Sequence, residues 1–473
     1  MIKQSENNYK PLELSLLEHY QDNSDNVDKN CHSKIKQARN DGFRHFENTR
    51  LPVKSDEKWR QSNIQKLYDT EFDIGDVKPV FNKKINEIFH CHVHGFDTNV
   101  FAFLNGWYYN SDDQLLQTLD DGIIVGSILA AQEAYPELID KYFNEIASKS
   151  QHGLGAANAA VFTDGIFIYV PDNVSSNKAI QLIKMVNRDR NIMINSRNLI
   201  IIGKNSNLTF LHCDDSINQH SGFLVTNTEI FLEENAKLDL YKLQNLNNQT
   251  TLVNSTFIQQ KRSSDLKVNL LTFNGGSIRN EINVDLQGEN ANADVSGIYL
   301  IDNKQHVDNQ VMINHSAPHC TSNEMFKGVL DDYASAVFNG HVFVARDAQK
   351  TQAFQKNANI LMTPTASVDT MPFLEIYADD VVCSHGATVG QIDEDALFYL
   401  MQRGISENDA RLLLMYAFIT EVTNKINIIP LRINIEDMVK KRLRGDLSVC
   451  DKCVLHCSTP DTPIEFEIDL SKI

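Results

Sequence analysis

One short pattern recurs between residues 199 and 348, and it limits the folds open to the chain more than any other feature. An apolar run leads into a polar turn made of Asn or Asp with a small residue, and an alternating strand often follows. Leu199-Ile200-Ile201-Ile202 precedes Asn205-Ser206, then Leu208 and Phe210. Ile230-Phe231-Leu232 precedes Asn235-Ala236, then Leu238 and Leu240. Ile282, Val284 and Leu286 before Asn290-Ala291 form a third copy, and Val342 to Val344 before Asp347-Ala348 a fourth. The spacing is too irregular for a strict hexapeptide array. Many short strands with one recurring turn still point to a β-solenoid, in which each coil buries its apolar face on the next. A β-sandwich is the competing architecture, but no hairpin dipeptide links the runs consistently.

The texture changes on both sides of this region. Residues 1 to about 75 read as polar and helical, with Leu12, Leu16, Leu17 and Tyr20 at helix spacing. Residues 80 to 150 mix short apolar runs, such as Val100 to Leu104, with a second helical stretch from Gly126 to Ile146. Near the other end, Ser406-Glu407-Asn408-Asp409 offers an N-cap with an acidic residue three positions on. Leu412 to Ile419 is then apolar nearly all round, continued by Val422 and Ile426, and such a helix must be covered on several sides. After Pro430, residues Ile435, Met438, Val439 and Leu443 form a narrower stripe. The expected division is a mixed helical region over 1–150, a β-solenoid core over 151–392, a helical region over 393–445 and a cysteine-containing tail over 446–473.

A chain of 473 residues exceeds one ordinary core, which fits several domains or one elongated repeat. The formal net charge of -18 argues against nucleic acid, whose binders carry basic patches, and suits docking on a partner with basic faces. No stretch approaches the roughly 20 apolar residues of a membrane span. Met1 to Asn8 lacks the apolar core of a secretory signal, so a cytoplasmic location is expected. In that compartment the 8 cysteines are expected as free thiols or ligands.

Nucleotide and hydrolase signatures are absent. There is no Gly-x-x-x-x-Gly-Lys-Ser/Thr loop, and Gly153-Leu154-Gly155 lacks the third glycine of a dinucleotide fingerprint. No Gly-x-Ser-x-Gly elbow occurs, and no self-contained active site is expected. Several clusters carry ligand-type side chains instead. His90, His92 and His94 would share one face of a strand, beside Cys91, and Cys31 or His32 is a conceivable fourth group. A solvated histidine cluster is the plainer reading. His306, His315 and His319 with Cys320 fall at expected solenoid corners, where histidines can satisfy backbone groups. Cys450-Asp451-Lys452-Cys453, followed by His456-Cys457, offers metal or redox chemistry near a terminus. Adjacent His456 and Cys457 cannot easily both turn inward, and a plain tail is the competing reading.

Leu374 to Thr388 is the sharpest of these segments. On a strand, Cys383 and His385 project to the same face and present a thiol and an imidazole. Two ligands cannot close a four-coordinate site, so the others would come from elsewhere, another subunit included. A buried thiol beside a hydrogen-bonded histidine is the alternative.

The same segment resembles the SufB/SufD family of iron–sulfur cluster assembly proteins. So do Asn323-Glu324-Met325-Phe326-Lys327-Gly328-Val329-Leu330-Asp331-Asp332, Val337-Phe338-Asn339-Gly340 and Asp347-Ala348-Gln349-Lys350-Thr351. Upstream, Asn158, Thr163-Asp164-Gly165, Tyr169-Val170-Pro171 and Arg197-Asn198-Leu199-Ile200 extend the likeness, which spans about residues 50 to 445. Three features resemble the SufD side of the family. They are Glu57-Lys58-Trp59-Arg60, Tyr241-Lys242-Leu243-Gln244-Asn245, and Ser384-His385-Gly386-Ala387-Thr388 without flanking glutamates. Gln61-Ser62 stands where an aromatic residue often follows in that branch.

The resemblance implies a right-handed parallel β-helix between helical ends. It implies a non-catalytic scaffold that pairs with a SufB-like subunit and binds the SufC-like ATPase; whether the isolated chain forms a homodimer is left open by the sequence. It places His385, with Cys383 beside it, at the subunit interface where a transient iron–sulfur cluster forms, no cofactor being held permanently. It assigns ATPase docking to the C-terminal helices, for which Leu412, Met415, Tyr416, Phe418 and Ile419 are the candidates. The tail after Leu443 departs from the usual ending, so Cys450, Cys453 and Cys457 remain metal candidates on spacing alone. Two other functions stay in view: a SufB-like subunit that itself accepts sulfur, and a β-helix carbohydrate-active enzyme, which would need a carboxylate cluster on one solenoid face.

Overall fold

Asparagine is one of the few non-glycine residues that tolerates left-handed backbone, and the recurring turn uses it that way. At Asn205, Asn235 and Asn290, φ is 53°, 59° and 62°. The small residue that follows, Ser206, Ala236 or Ala291, is buried. The left-handed residue turns the chain and the next side chain drops into the interior, where only a small one fits. The turns also stack: Asn235 Nδ2 donates to Asn205 Oδ1 at 2.9 Å, and Asn205 Nδ2 to Asn173 Oδ1 at 3.0 Å. The fourth copy departs from this scheme. Its turn is longer, and the left-handed residue is Lys350 (φ 64°) rather than Asp347.

The computed structural model describes residues 9–27, 31–75, 78, 95–110, 114–149, 152–188, 190–216 and 220–445. Its centre is a β-solenoid in which each coil gives one strand to each of two parallel sheets. The first sheet's parallel strands run from Ile166–Val170 to Ser367–Ile376, and the second's from Ala179–Val186 to Val382–Gly390. Parallel, in-register pairing stacks like on like. In the first sheet Ile200, Ile230, Ile258, Val284, Ile313 and Val342 form one buried column. In the second, Phe210, Leu240, Val268 and Val295 form another. Each such side chain contributes on the order of 1.5–3 kcal/mol by leaving water.

The stack is closed at its N-terminal end. Thr98–Leu104, which contains the apolar run read from the sequence, pairs in parallel with Ala179–Val186 and then with the three-residue strand Trp107–Tyr109. On the first sheet Ile124–Ser127 pairs antiparallel with Ile166–Val170, and Leu116–Thr118 pairs antiparallel with Ile124–Ser127. The helix expected from Gly126 to Ile146 is therefore shorter and divided. Gly126 lies in a strand, α3 spans Ile128–Ala134 and α4 spans Pro136–Tyr142, split where Pro136 takes a first-turn position. The N-terminal helices α1 (Pro11–Val27) and α2 (Ser33–Thr49) pack with α5 (Gly153–Val161) on the first sheet's side. Trp59 of the Glu57–Arg60 motif is buried with Arg279 stacked 3.8 Å over its ring. Arg279 in turn pairs with Glu281 and Asp308, so this motif fastens the N-terminal region to the solenoid.

Among the described residues three helices follow the last coil: α6 (Glu394–Gln402), α7 (Glu407–Thr423) and α8 (Ile429–Leu443). The Ser406 cap forms, its hydroxyl accepting from the Asp409 N–H at 3.2 Å. Ala410, Met415, Ile419 and Val422 of α7 pack with Leu211, Tyr241, Leu271 and Ile298 of the second sheet. Polar contacts fix the seat. Lys327 Nζ donates to the Phe418 carbonyl at 2.7 Å and pairs with Glu421, while Lys425 pairs with Asp294 at 2.8 Å. Arg442 Nε donates to the Phe273 carbonyl at 2.8 Å, and its guanidinium reaches Asp302 at 2.6 Å. Among the described residues no helix is long and apolar enough to cross a membrane.

Candidate functional site at the open end of the solenoid

Cys383 and His385 lie on Val382–Gly390, the last strand of the second sheet, so their common face follows from strand geometry. Register then gives the direction of that face. Cys383 stacks on Ala353 and Ser322, and His385 on Gln355 and Glu324. Ala353, Ser322, Gln355 and Glu324 are all buried in the interior, so the column of His385 is an inward-facing one. Among the described residues no further strand covers it: Ser367–Ile376 and Val382–Gly390 end their sheets. His385 is therefore exposed although it faces inward, and Cys383 is half-buried. Added Cβ atoms at Gly386 and Gly390 would meet nothing within 4 Å.

The turn that delivers this strand is held by the preceding coil. The Lys350 N–H donates to the Asp380 carbonyl at 2.6 Å, and the Val382 N–H to the Thr351 carbonyl at 2.9 Å. Lys350 and Asp380 also form an ion pair. Lys350 and Thr351 belong to the same motif as Asp347-Ala348, so that motif shapes the corner leading to His385. Burial pushes the Cys383 thiol above its usual range, with a backbone hydrogen bond from Ala353 opposing, so it rests as a thiol at neutral pH. The surface around it is apolar for a solvent-facing end: Phe373, Tyr377 and Val382 are 54%, 57% and 60% exposed, and Met371 and Val389 are also exposed.

Beneath His385 the column changes character. After Val295 come Glu324 and Gln355, where the coils below carry Phe210, Leu240 and Val268. Gln355 Nε2 donates to Glu324 Oε2 at 2.9 Å. Burial pushes the Glu324 carboxyl up to about 8, the Gln355 bond opposing. Glu324 therefore remains an uncharged acid near neutrality. Sequence reading missed both residues, although Glu324 shares the inward parity of Ser322 and Phe326, and that parity was the available signal.

The other candidates distribute as follows. Leu412, Met415 and Ile419 are buried, and Met415 and Ile419 belong to the core shared with the second sheet. Tyr416 and Phe418 are half-buried, Tyr416 donating to Glu436 at 3.1 Å. The exposed apolar residues of the helical region are Phe398, Tyr399 and Met401 on α6 and Ile429 and Ile433 on α8. His315 is bonded to the Ser322 hydroxyl and His306 to the Ser335 hydroxyl, both at 2.8 Å, so these partners are side chains rather than backbone groups. Cys320 is buried and donates to the Gly288 carbonyl, which leaves it a packing residue. His32 caps α2 by accepting from the Lys34 N–H at 3.3 Å. His90, His92 and His94, and Cys450, Cys453, His456 and Cys457, lie outside the described residues. Among the described residues no three His, Cys, Asp or Glu side chains are grouped to hold a metal ion.

Comparison with known proteins agrees with this architecture. Residues 185–418 match the family described as SUF system FeS cluster assembly, SufBD core domain, and residues 10–182 match the SufBD protein N-terminal region. The chain is 27% identical to an iron–sulfur cluster assembly SufBD family protein of Synechocystis over 407 residues, 83% of this chain and 88% of the relative. It is 39% identical to the iron–sulfur cluster assembly protein SufD of Escherichia coli over 171 residues, 36% of this chain and 40% of that relative. A SufD of Bacillus subtilis is 27% identical over 328 residues, 69% of this chain and 75% of the relative. A plant relative from Arabidopsis thaliana, 32% identical over 47% of each chain, is named as chloroplastic.

Proposed function

Because this chain belongs to the SufBD family of SUF iron–sulfur cluster assembly proteins, we propose that it is a SufD-type scaffold subunit whose open solenoid end pairs with a SufB-like subunit. The observation that carries this reading is the terminal coil, with two unpaired sheet edges, an exposed apolar rim and His385 at its centre. An uncovered edge of this kind is a template for pairing with another chain. Pairing there also supplies what two ligands lack. His385 brings one imidazole to the junction, and the partner contributes the remaining ligands to iron and sulfide as the cluster, the cargo of the reaction, assembles. Cys383 backs the imidazole as a thiol and is the weaker ligand.

The C-terminal helices are the seat of a SufC-like ATPase. Leu412, Met415 and Ile419 support that surface from beneath, Tyr416 and Phe418 flank it, and Phe398, Tyr399 and Met401 are its exposed apolar contacts. ATP-driven movement of the ATPase then opens and closes the junction at His385, the chain itself performing no catalysis. In isolation two copies can meet through the same edges. Reconstitution of the purified complex tests the reading. His385→Ala should leave folding and ATPase binding intact and lower the iron and sulfide retained; an undiminished yield rejects the ligand role.

A further inference from the structure

Glu324, Gln355 and His385 occupy successive rungs of one inward-facing column, about 4.8 Å apart. The Gln355 side chain is used on one side only. Its Nε2 donates downward to Glu324 Oε2 at 2.9 Å, and its Oε1 is buried without a hydrogen-bond partner, as is Glu324 Oε1. Leaving a buried acceptor unpaired is unfavourable, so its retention calls for an explanation. Gly340, on the facing sheet, makes room for the arrangement: a Cβ there would lie 2.0 Å from Gln355 Nε2. The amide thus extends across the interior directly below the rung of His385, and the bond to Glu324 fixes which of its ends is spoken for.

We propose that Gln355, anchored by Glu324, is a positioning residue for His385, its free carbonyl oxygen accepting one imidazole N–H when a partner closes the solenoid end. This rests on the reading of His385 given above. A histidine that binds metal through one ring nitrogen donates from the other, and the acceptor sets the tautomer and the ring plane. Gln355 offers such an acceptor from the rung directly below His385. Glu324 anchors the amide from the rung below.

The test is a reconstitution of the complete complex with ferrous iron and sulfide, read as iron and acid-labile sulfide per complex. Pairing with the SufB-like subunit is followed in parallel as a control on folding. Gln355→Leu should lower the yield several-fold, to the level of His385→Ala, while Gln355→Glu, which keeps an acceptor, should retain most of it. Gln355→Leu combined with His385→Ala should be no worse than either alone. Gly340→Ala, which displaces chiefly the flexible end of Gln355 and presses on the Phe338 ring at 3.0 Å, should reproduce part of the loss and serves if Gln355→Leu does not fold. An unchanged yield in Gln355→Leu and Gly340→Ala beside a reduced one in His385→Ala overturns the positioning role alone. So do losses that multiply in the double variant, or Gln355→Glu failing as badly as Gln355→Leu. An unchanged yield in His385→Ala removes the ligand role of His385 and this inference together.

Discussion

The two ends of the solenoid face the same difficulty, a sheet edge with unpaired backbone groups, and they meet it in different ways. At the N-terminal end the edges finish in strands of three residues, Trp107–Tyr109 and Leu116–Thr118, each joined to its one neighbour by antiparallel pairing. Edge strands this short offer little template to another chain. At the C-terminal end the edges are Ser367–Ile376 and Val382–Gly390, ten and nine residues long, in line with every strand beneath them. The interior follows suit. One column runs through Phe210, Leu240, Val268 and Val295 and then turns into Glu324, Gln355 and His385. Stability is concentrated where the column is apolar, and unsatisfied polarity where it meets the opening.

The strongest way to break this comparison is to exchange the two halves of the column. Val268→Glu, which moves the terminal chemistry into the middle, should cost more than about 4 kcal/mol in urea unfolding, because no partner there satisfies the carboxyl. The opposite change, Glu324→Leu with Gln355→Leu, should leave the isolated chain unharmed or stabilise it by about 1–3 kcal/mol, since both partners of a half-satisfied pair go together. A large loss from that double variant would mean the polar end is structural. A milder contrast compares truncations. Ile258→Ala in the buried first-sheet column should cost about 2–5 kcal/mol, and Phe373→Ala at the rim within about 0.5 kcal/mol.

The pH dependence of stability sharpens the same contrast. Glu324 has a folded pKa of about 8 against an ordinary 4.5, so the unfolded chain releases the proton more readily. Its contribution is fully present below about 4.5 and is lost as pH rises towards about 8. Glu324→Gln should flatten that limb of the stability profile; an unaltered slope would show that the carboxyl is not held neutral. His212 and His315 act at the other limb. Burial lowers each to about 4 from 6.5, so stability present above about 6.5 is lost as pH falls towards 4. The smallest stability effect should come from Val389→Ser. It should leave the melting temperature of the chain nearly unchanged while weakening affinity for the SufB-like partner about tenfold by titration calorimetry, a loss typical of an interface contact.

The solenoid was legible in the sequence because its turn has a local cause. Left-handed Asn followed by a small inward residue recurs at Asn205, Asn235 and Asn290 whatever surrounds it. The shared face of Cys383 and His385 was legible for the same reason, since alternation along a strand is local. What escaped were properties set by register between distant strands. Nothing within Asn323 to Asp332 says that Glu324 lies under Gln355, or that Lys327 reaches Glu421 across the molecule. The all-round apolar character of α7 calls for cover on several sides, but does not say which of its residues meet the second sheet. The division of the helix expected over 126–146 followed from Pro136, whose effect was visible but outweighed by the apolar pattern.

The central claim is that the terminal coil, and not the N-terminal end, is where a second subunit adds. Amide hydrogen exchange across Val382–Gly390 measures this directly, because unpaired edge N–H groups exchange freely until another strand accepts them. Adding the SufB-like partner should slow exchange throughout Val382–Gly390 and Ser367–Ile376 and leave Leu116–Thr118 unchanged. Unaltered exchange in the terminal strands while the partner is bound would contradict the account.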